Sequence, residues 1–229
     1  TEMAPVDTAL RDGVLYDMLG RAHHSDVREA TVEQFARRYH IDQAQADRVR
    51  SLALHFFDQT HAPATSELEQ TLISSSRQRV SWAARLHEIG MNIAQAGFHK
   101  HSAYVLANAD MPGFSKREQA ALARLVLAQR GKLSKLASDT GIGEDFVREA
   151  LCIRVAVLLS RSRRVVATKR FVLSAKATFD SFGLSVDGAW LADHDLTDYE
   201  LAQEVAEWRS LAVTLGIERN ELAAPSQAA

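Results

Sequence analysis

Apolar residues recur at helical spacing over the first seven-tenths of the chain, and polar residues suited to helix starts punctuate them. Asp7 can cap a first helix carrying Leu10, Val14 and Met18 and ended by Gly20. Thr31-x-x-Gln34 has the form of a capping box opening a short helix to Tyr39, and Asp42-x-x-Gln45 repeats the device. Ala46, Val49, Ala53 and Phe56 then trace one helical face as far as Gln59. Pro63 breaks the chain, and a helix near Ser66 to Ile73 leads into the stretch from Trp82. Read as one helix up to Ala96, that stretch has three faces. Trp82, Leu86, Ile89 and Ile93 make an apolar stripe; Ala83, His87, Gly90 and Ala94 make a stripe of small residues around a histidine. Arg85, Glu88, Asn92 and Gln95 make a wet face. Gly97 is expected as the left-handed cap, with His99, Lys100 and His101 on the turn beyond.

Pro112-Gly113 marks a turn, and Ser115-x-x-Glu118 caps a helix carrying Leu122, Leu125 and Val126. After Gly141 and Gly143, Glu144 and Asp145 stand in the first turn of a strong helix, and Arg161, Arg163 and Arg164 cluster at its end. Both placements complement a helix dipole. The period then changes to two. Leu173, Ala175, Ala177 and Phe179 alternate with Ser174, Lys176, Thr178 and Asp180, the pattern of a half-buried strand. Leu184 and Val186 begin a partner strand after Gly183. Thr197-x-x-Glu200 opens a last amphipathic helix with Leu201, Val205, Trp208 and Leu215, capped at Gly216. The expected architecture is mostly α: a helical domain over 1–164, a small strand-plus-helix α+β domain over 165–222, and a frayed tail over 223–229.

Composition sharpens this picture only through charge. The net charge of −2 hides an asymmetry: Arg77 to Lys176 carries a net +11, the remainder −13. A basic middle between acidic ends implies either an internal electrostatic match or a surface for a polyanion. A nucleic-acid module ranks last, because neither a helix-turn-helix nor a base-stacking aromatic pattern accompanies the basic segment. The single cysteine, Cys152, lies among apolar neighbours and reads as a small buried hydrophobe. It excludes an internal disulfide framework and fits a reducing cytoplasm. No apolar run is long enough to span a bilayer and no signal peptide opens the chain, so a cytoplasmic location is expected. The opening Thr-Glu-Met-Ala-Pro reads as the start of a fragment.

His87-Glu88 followed by Ile89-Gly90 resembles the His-Asp doublet of the HD phosphohydrolase superfamily. That resemblance implies a divalent metal held by an earlier histidine, the doublet and a later aspartate. Gln45 stands for the earlier histidine, Glu88 for the acid, and Ala156 or Val157 for the later aspartate. A catalytic metal needs about three protein ligands and an open position. Gln45, His87 and Glu88 therefore read as a degenerate HD site without metal. His87 is better explained as a buried histidine packing two helices.

A longer resemblance spans nearly the whole chain. Its blocks are Leu10-Arg11-Asp12-Gly13-Val14-Leu15-Tyr16-Asp17, Trp82-Ala83-Ala84 with Leu86-His87-Glu88-Ile89-Gly90, and Gly97-x-His99-Lys100-His101-Ser102-Ala103-Tyr104. Asn108-Ala109-Asp110-Met111-Pro112-Gly113-Phe114-Ser115, Trp190-Leu191 and His194-Asp195-Leu196-Thr197 follow in order. In these blocks the chain resembles the C-terminal half of the exopolyphosphatase / guanosine pentaphosphate phosphohydrolase family. The resemblance implies an HD-like helical bundle followed by a small α+β domain. It also implies a parent enzyme whose two N-terminal actin-like domains hold the phosphate-binding loops, the catalytic carboxylate and the magnesium site. The chain contains no Gly-rich phosphate loop, so no catalytic residue and no cofactor is expected within it.

By the same resemblance the chain is the accessory half, inactive alone, with three partners: polyphosphate, a second copy in a homodimer, and the actin-like domains. The parent would release terminal phosphate from polyphosphate or the 5′-phosphate of guanosine pentaphosphate. Holding a flexible polyanion needs spaced cations. His99, Lys100, His101, Arg130, Lys132, Arg161, Arg163 and Arg164 are the candidates. Where many relatives read Arg-Tyr-His-Arg, this chain reads Leu127-Ala128-Gln129-Arg130 and lacks two potential contacts. His99-Lys100-His101 has the alternative of a turn whose histidines bond backbone carbonyls. An independent HD-type metal-dependent phosphohydrolase is the alternative function.

Overall fold

The computed structural model describes residues 27–136, 142–176 and 180–220; the expected first helix around Leu10 to Met18 and the tail from Ala223 lie outside them. Six longer helices come first: α1 (Val27–Arg38), α2 (Gln43–Thr60), α3 (Glu67–Leu86), α4 (Phe98–Asn108), α5 (Lys116–Ala128) and α6 (Glu144–Leu159). Strands β1 (Phe171–Ala175) and β2 (Ser181–Asp187) follow, then a short α7 (Gly188–Ala192), α8 (Asp195–Arg209) and β3 (Thr214–Asn220). The fold is mostly α with a small α+β part, as the change of period implies. No described helix is long and apolar enough to cross a membrane.

Helix starts follow local chemistry. The Asp42 carboxylate accepts from Gln45 N at the head of α2, and Ser66 caps α3 in the same way through Glu69 N. At α5 the capping box is complete: Glu118 N donates to Ser115 Oγ, and the Glu118 carboxylate accepts from Ser115 N. Thr31 is different. Helix α1 begins at Val27, so Thr31 lies inside it, buried, its hydroxyl donating to Pro112 O at 2.8 Å.

The stretch from Trp82 departs most from expectation. One helix runs from Glu67 and stops at Leu86, and a single 3-10 turn covers Ile89–Asn92. Gly97, at φ 69°, precedes a helix instead of closing one, and it is the N-cap of α4. The cause is the stripe of small residues. A Cβ on Gly90 would stand 2.3 Å from Phe98 O and 2.4 Å from Ser102 N, so the α4 backbone packs directly on it. Ser102 Oγ accepts from Gly90 N and donates to His87 O, replacing the bonds that a continued helix would have made. Ile93 is consequently exposed and Glu88 buried, the reverse of the straight-helix reading.

The sheet has the order β1-β2-β3, with β1 and β2 antiparallel and β2 and β3 parallel. Leu173 faces Leu184, and Phe182 faces Leu215. The last helix therefore ends at Arg209, and Leu215 and Gly216 belong to a strand. The open edge of β2 satisfies the β3 backbone, an interaction distant in sequence that overrides helical spacing. Ala177 and Phe179, expected to extend β1, lie outside the described residues. Phe171, Leu173, Phe182, Leu184, Val186 and Trp208 join the helices in one continuous apolar core. Gln59 Oε1 on α2 accepts from Leu173 N at 2.8 Å and so ties the sheet edge to the bundle.

Candidate functional site

A cleft of about 440 Å³ opens between the C-terminal end of α3, the loop after α5, the second half of α6 and one face of α8. It gathers Gln45, His87, Glu88, Arg130, Lys132, Arg161 and Arg163 from four separate stretches. His99, Lys100, His101 and Arg164 are not in its lining. Arg164 borders a separate groove with Arg48, Ser160 and Val165.

His87 is buried at the C-terminal end of α3. Its Nδ1 lies 2.7 Å from Ala84 O, an acceptor only, so Nδ1 carries the proton and Nε2 is left as an acceptor. Burial, the largest influence, lowers its pKa and keeps the ring neutral. Nε2 faces Glu88 Oε1 at 3.7 Å. The same carboxylate accepts from Arg163 at 2.7 Å, and Arg163 also reaches Asp42 at 2.7 Å. Asp42 is held below the usual carboxylate range, first by the bond from Gln45 N and then by Arg163.

A metal does not fit these residues. Gln45 Nε2 donates to Ser160 O at 3.0 Å and its Oε1 accepts from Arg48 at 3.0 Å, so the amide is committed. Val157, at the place of the later aspartate, offers the cleft only methyl groups. Among the described residues no group of three or more His, Cys, Asp or Glu side chains is placed to hold an ion.

The cations divide into two sets. Arg161 pairs with Glu200, and Arg163 is engaged as above. Arg130 and Lys132 are exposed, and neither has a carboxylate partner among the described residues. Arg130 packs its guanidinium 5.7 Å from the Phe98 ring centroid. Opposite stand Glu200, Glu204 and Glu207, spaced by about one helical turn along α8 and all lining the cleft.

Two cations went unnoticed in the sequence. Arg154 is buried on α6, paired with Glu204, and donates to Ala128 O at 2.6 Å and Gly131 O at 3.0 Å, fixing the loop that carries Arg130 and Lys132. Its one signal is a charge inside the apolar run Leu151 to Leu159. Lys135 donates to Arg130 O at 2.5 Å, and its pKa falls to about 8, through burial and then the charges of Arg154 and Lys100.

His99, Lys100 and His101 occupy the first turn of α4, not a turn after a helix. His99 is buried beside Gly131, its Nδ1 without a hydrogen-bond partner. Its pKa falls to about 4, first through burial and then through Lys135, Lys100 and Arg130. Lys100 is exposed and His101 half-buried. The His99–Lys135 cluster thus adjoins the cleft mouth through Gly131 without opening into it.

The family model for "Ppx/GppA phosphatase, domain III" matches residues 27–205. The guanosine-5'-triphosphate,3'-diphosphate pyrophosphatase of Pseudoalteromonas translucida (strain TAC 125) is 37% identical over 201 residues, 86% of this chain and 38% of the relative. The protein of the same name from Aeromonas hydrophila subsp. hydrophila is 34% identical over 200 residues, 86% of this chain and 39% of its own length. The chain spans well under half the length of these relatives. With most of its length matched by one domain model and these two relatives aligned over nearly the same extent, the chain belongs to the Ppx/GppA phosphatase family.

Proposed function

We propose that this chain is the polyanion-binding accessory region of a Ppx/GppA-type phosphatase. In this reading it holds polyphosphate, supports a homodimer, and leaves hydrolysis to actin-like domains of the parent enzyme. The parent releases terminal phosphate from polyphosphate or the 5′-phosphate of a guanosine pentaphosphate; the names of the two relatives favour a guanosine substrate. One observation carries the reading. Arg130 and Lys132 stand exposed at the cleft mouth, without carboxylate partners among the described residues, beside the Lys100, Lys135 and His99 cluster. Grouped cations not engaged in ion pairs offer a phosphate chain counterion release and several charge-assisted bonds at once.

The test is binding of long polyphosphate by the 229-residue chain across a salt series. Affinity should fall steeply with salt, and R130A/K132A should lower the slope of log affinity against log salt by about one to two. No binding at low salt would remove the polyanion role and leave the family assignment untouched. Light scattering tests the dimer separately: a monomer at every concentration would end that part.

A further inference from the structure

We infer that Lys135 is a modification site, its amine taking an acyl group from small acyl phosphates drawn in by Lys100 and Arg130. The modification rests on the surroundings of this amine; only its effect on polyphosphate rests on the polyanion reading. Lys135 lies half-buried in the 3-10 turn Leu133–Leu136. Its Nζ donates to Arg130 O at 2.5 Å, and no carboxylate pairs with it among the described residues. A neutral amine makes that one bond as an ammonium does, while the other N–H groups of an ammonium would go without a protein acceptor. Arg154 and Lys100 oppose its charge more strongly than Glu207 and Glu204 favour it, and burial opposes it most. A partly desolvated lysine beside other cations is an activated nucleophile.

Gly131 keeps the approach open. A Cβ there would stand 3.8 Å from Lys135 Nζ and 3.4 Å from His99 Nε2, so glycine leaves that space to an incoming carbonyl group. His99, with a pKa of about 4, adds no charge at neutral pH. Lys100 and Arg130 are exposed and attract the phosphate end of the reagent. Lys135 Nζ then bonds to the carbonyl carbon, the carbon–oxygen bond to the phosphate breaks, and hydrogen phosphate leaves. The proton displaced from the amine passes to solvent. The amide formed is uncharged and keeps one N–H for Arg130 O, so the cluster loses a cation without losing that bond.

The 229-residue chain is treated with acetyl phosphate and, separately, with uncharged N-succinimidyl acetate, and mass spectrometry follows acetylation at each lysine over time. At a pH of about 8, roughly half of Lys135 is free amine, against about 0.3% of a lysine at the ordinary value of 10.5. Its lower basicity offsets part of that gain. Lys135 should therefore react at least about tenfold faster than the exposed Lys116 and Lys169 with either reagent. Added inorganic phosphate, compared with chloride at equal ionic strength, should slow only the acetyl phosphate reaction. K100A should slow acetyl phosphate more than the ester. Rates at Lys135 no faster than at Lys116 and Lys169 overturn the inference, and so does a fast ester reaction that acetyl phosphate does not share. K135Q, an uncharged stand-in for the acylated residue, should lower the polyphosphate salt slope by about one. An unchanged slope, with selective acylation intact, overturns the part of Lys135 in the polyanion reading and leaves the modification standing.

Discussion

His99 shows what a buried, poorly partnered residue contributes. Its folded pKa of about 4 lies below the ordinary histidine value of 6.5, so the unfolded chain binds more protons between those values. Stability should therefore rise as pH increases from about 4 to 6.5, be complete above that window, and stop changing on this account below it. H99N removes the titrating ring, and urea midpoints measured from pH 4 to 7 should climb less steeply than in the parent chain. An equal climb would mean that His99 is solvated as in the unfolded state. The residues around it explain what could be read in advance. Arg130, Lys132, Arg161 and Arg163 announce themselves by charge, and the cleft gathers all four. Arg154 and Lys135 do not, because their roles depend on Glu204, fifty positions from Arg154, and on a backbone carbonyl of the loop before Lys135.

At the scale of elements, the caps at Asp42 and Ser115 were legible, whereas the same pattern at Thr31 and Thr197 lies inside helices that start earlier, and contacts between elements were not legible. The caps at Asp42 and Ser115 use partners three positions away, and any reader of the sequence can find them. The break after Leu86 depends on the approach of α4, and β3 depends on the free edge of β2; neither leaves a mark in the helical period. Gly90 lies at the contact with α4. Alanine there would place a methyl carbon 2.3 Å from one α4 backbone atom and 2.4 Å from another, and backbone cannot swing aside as a flexible side chain can. G90A should lose at least about 1–3 kcal/mol of stability, the usual cost of overpacking, seen as a lower urea midpoint at unchanged slope. An unaffected midpoint would show that α4 does not rest on Gly90.

Across the whole molecule, the opposition of a basic middle and acidic ends is partly matched by ion pairs within the chain. Arg77–Asp58, Arg85–Glu29, Arg154–Glu204, Arg161–Glu200, Arg163–Asp42 and Arg170–Asp187 each join a cation of the middle to a carboxylate outside it. Internal matching thus uses part of the basic middle, and Arg130 and Lys132 are among its cations left without a carboxylate partner among the described residues, as the proposed polyanion role requires. Two of these pairs, from Arg154 and Arg161, bind α6 and the turn after it to α8, and the apolar core runs unbroken from Val32 on α1 to Leu215 on β3. Phe171, Leu173, Phe182 and Leu184 would lose their cover if the sheet left the bundle, so the two parts should unfold together. A variant keeping only Trp208, buried on α8, reports on the sheet side; one keeping only Trp82, on α3, reports on the bundle. In each variant the fluorescence transition in urea should coincide with loss of the far-ultraviolet helical signal. Earlier loss of Trp208 fluorescence than of helix, within the same variant, would instead mean that the α+β part melts as a unit of its own.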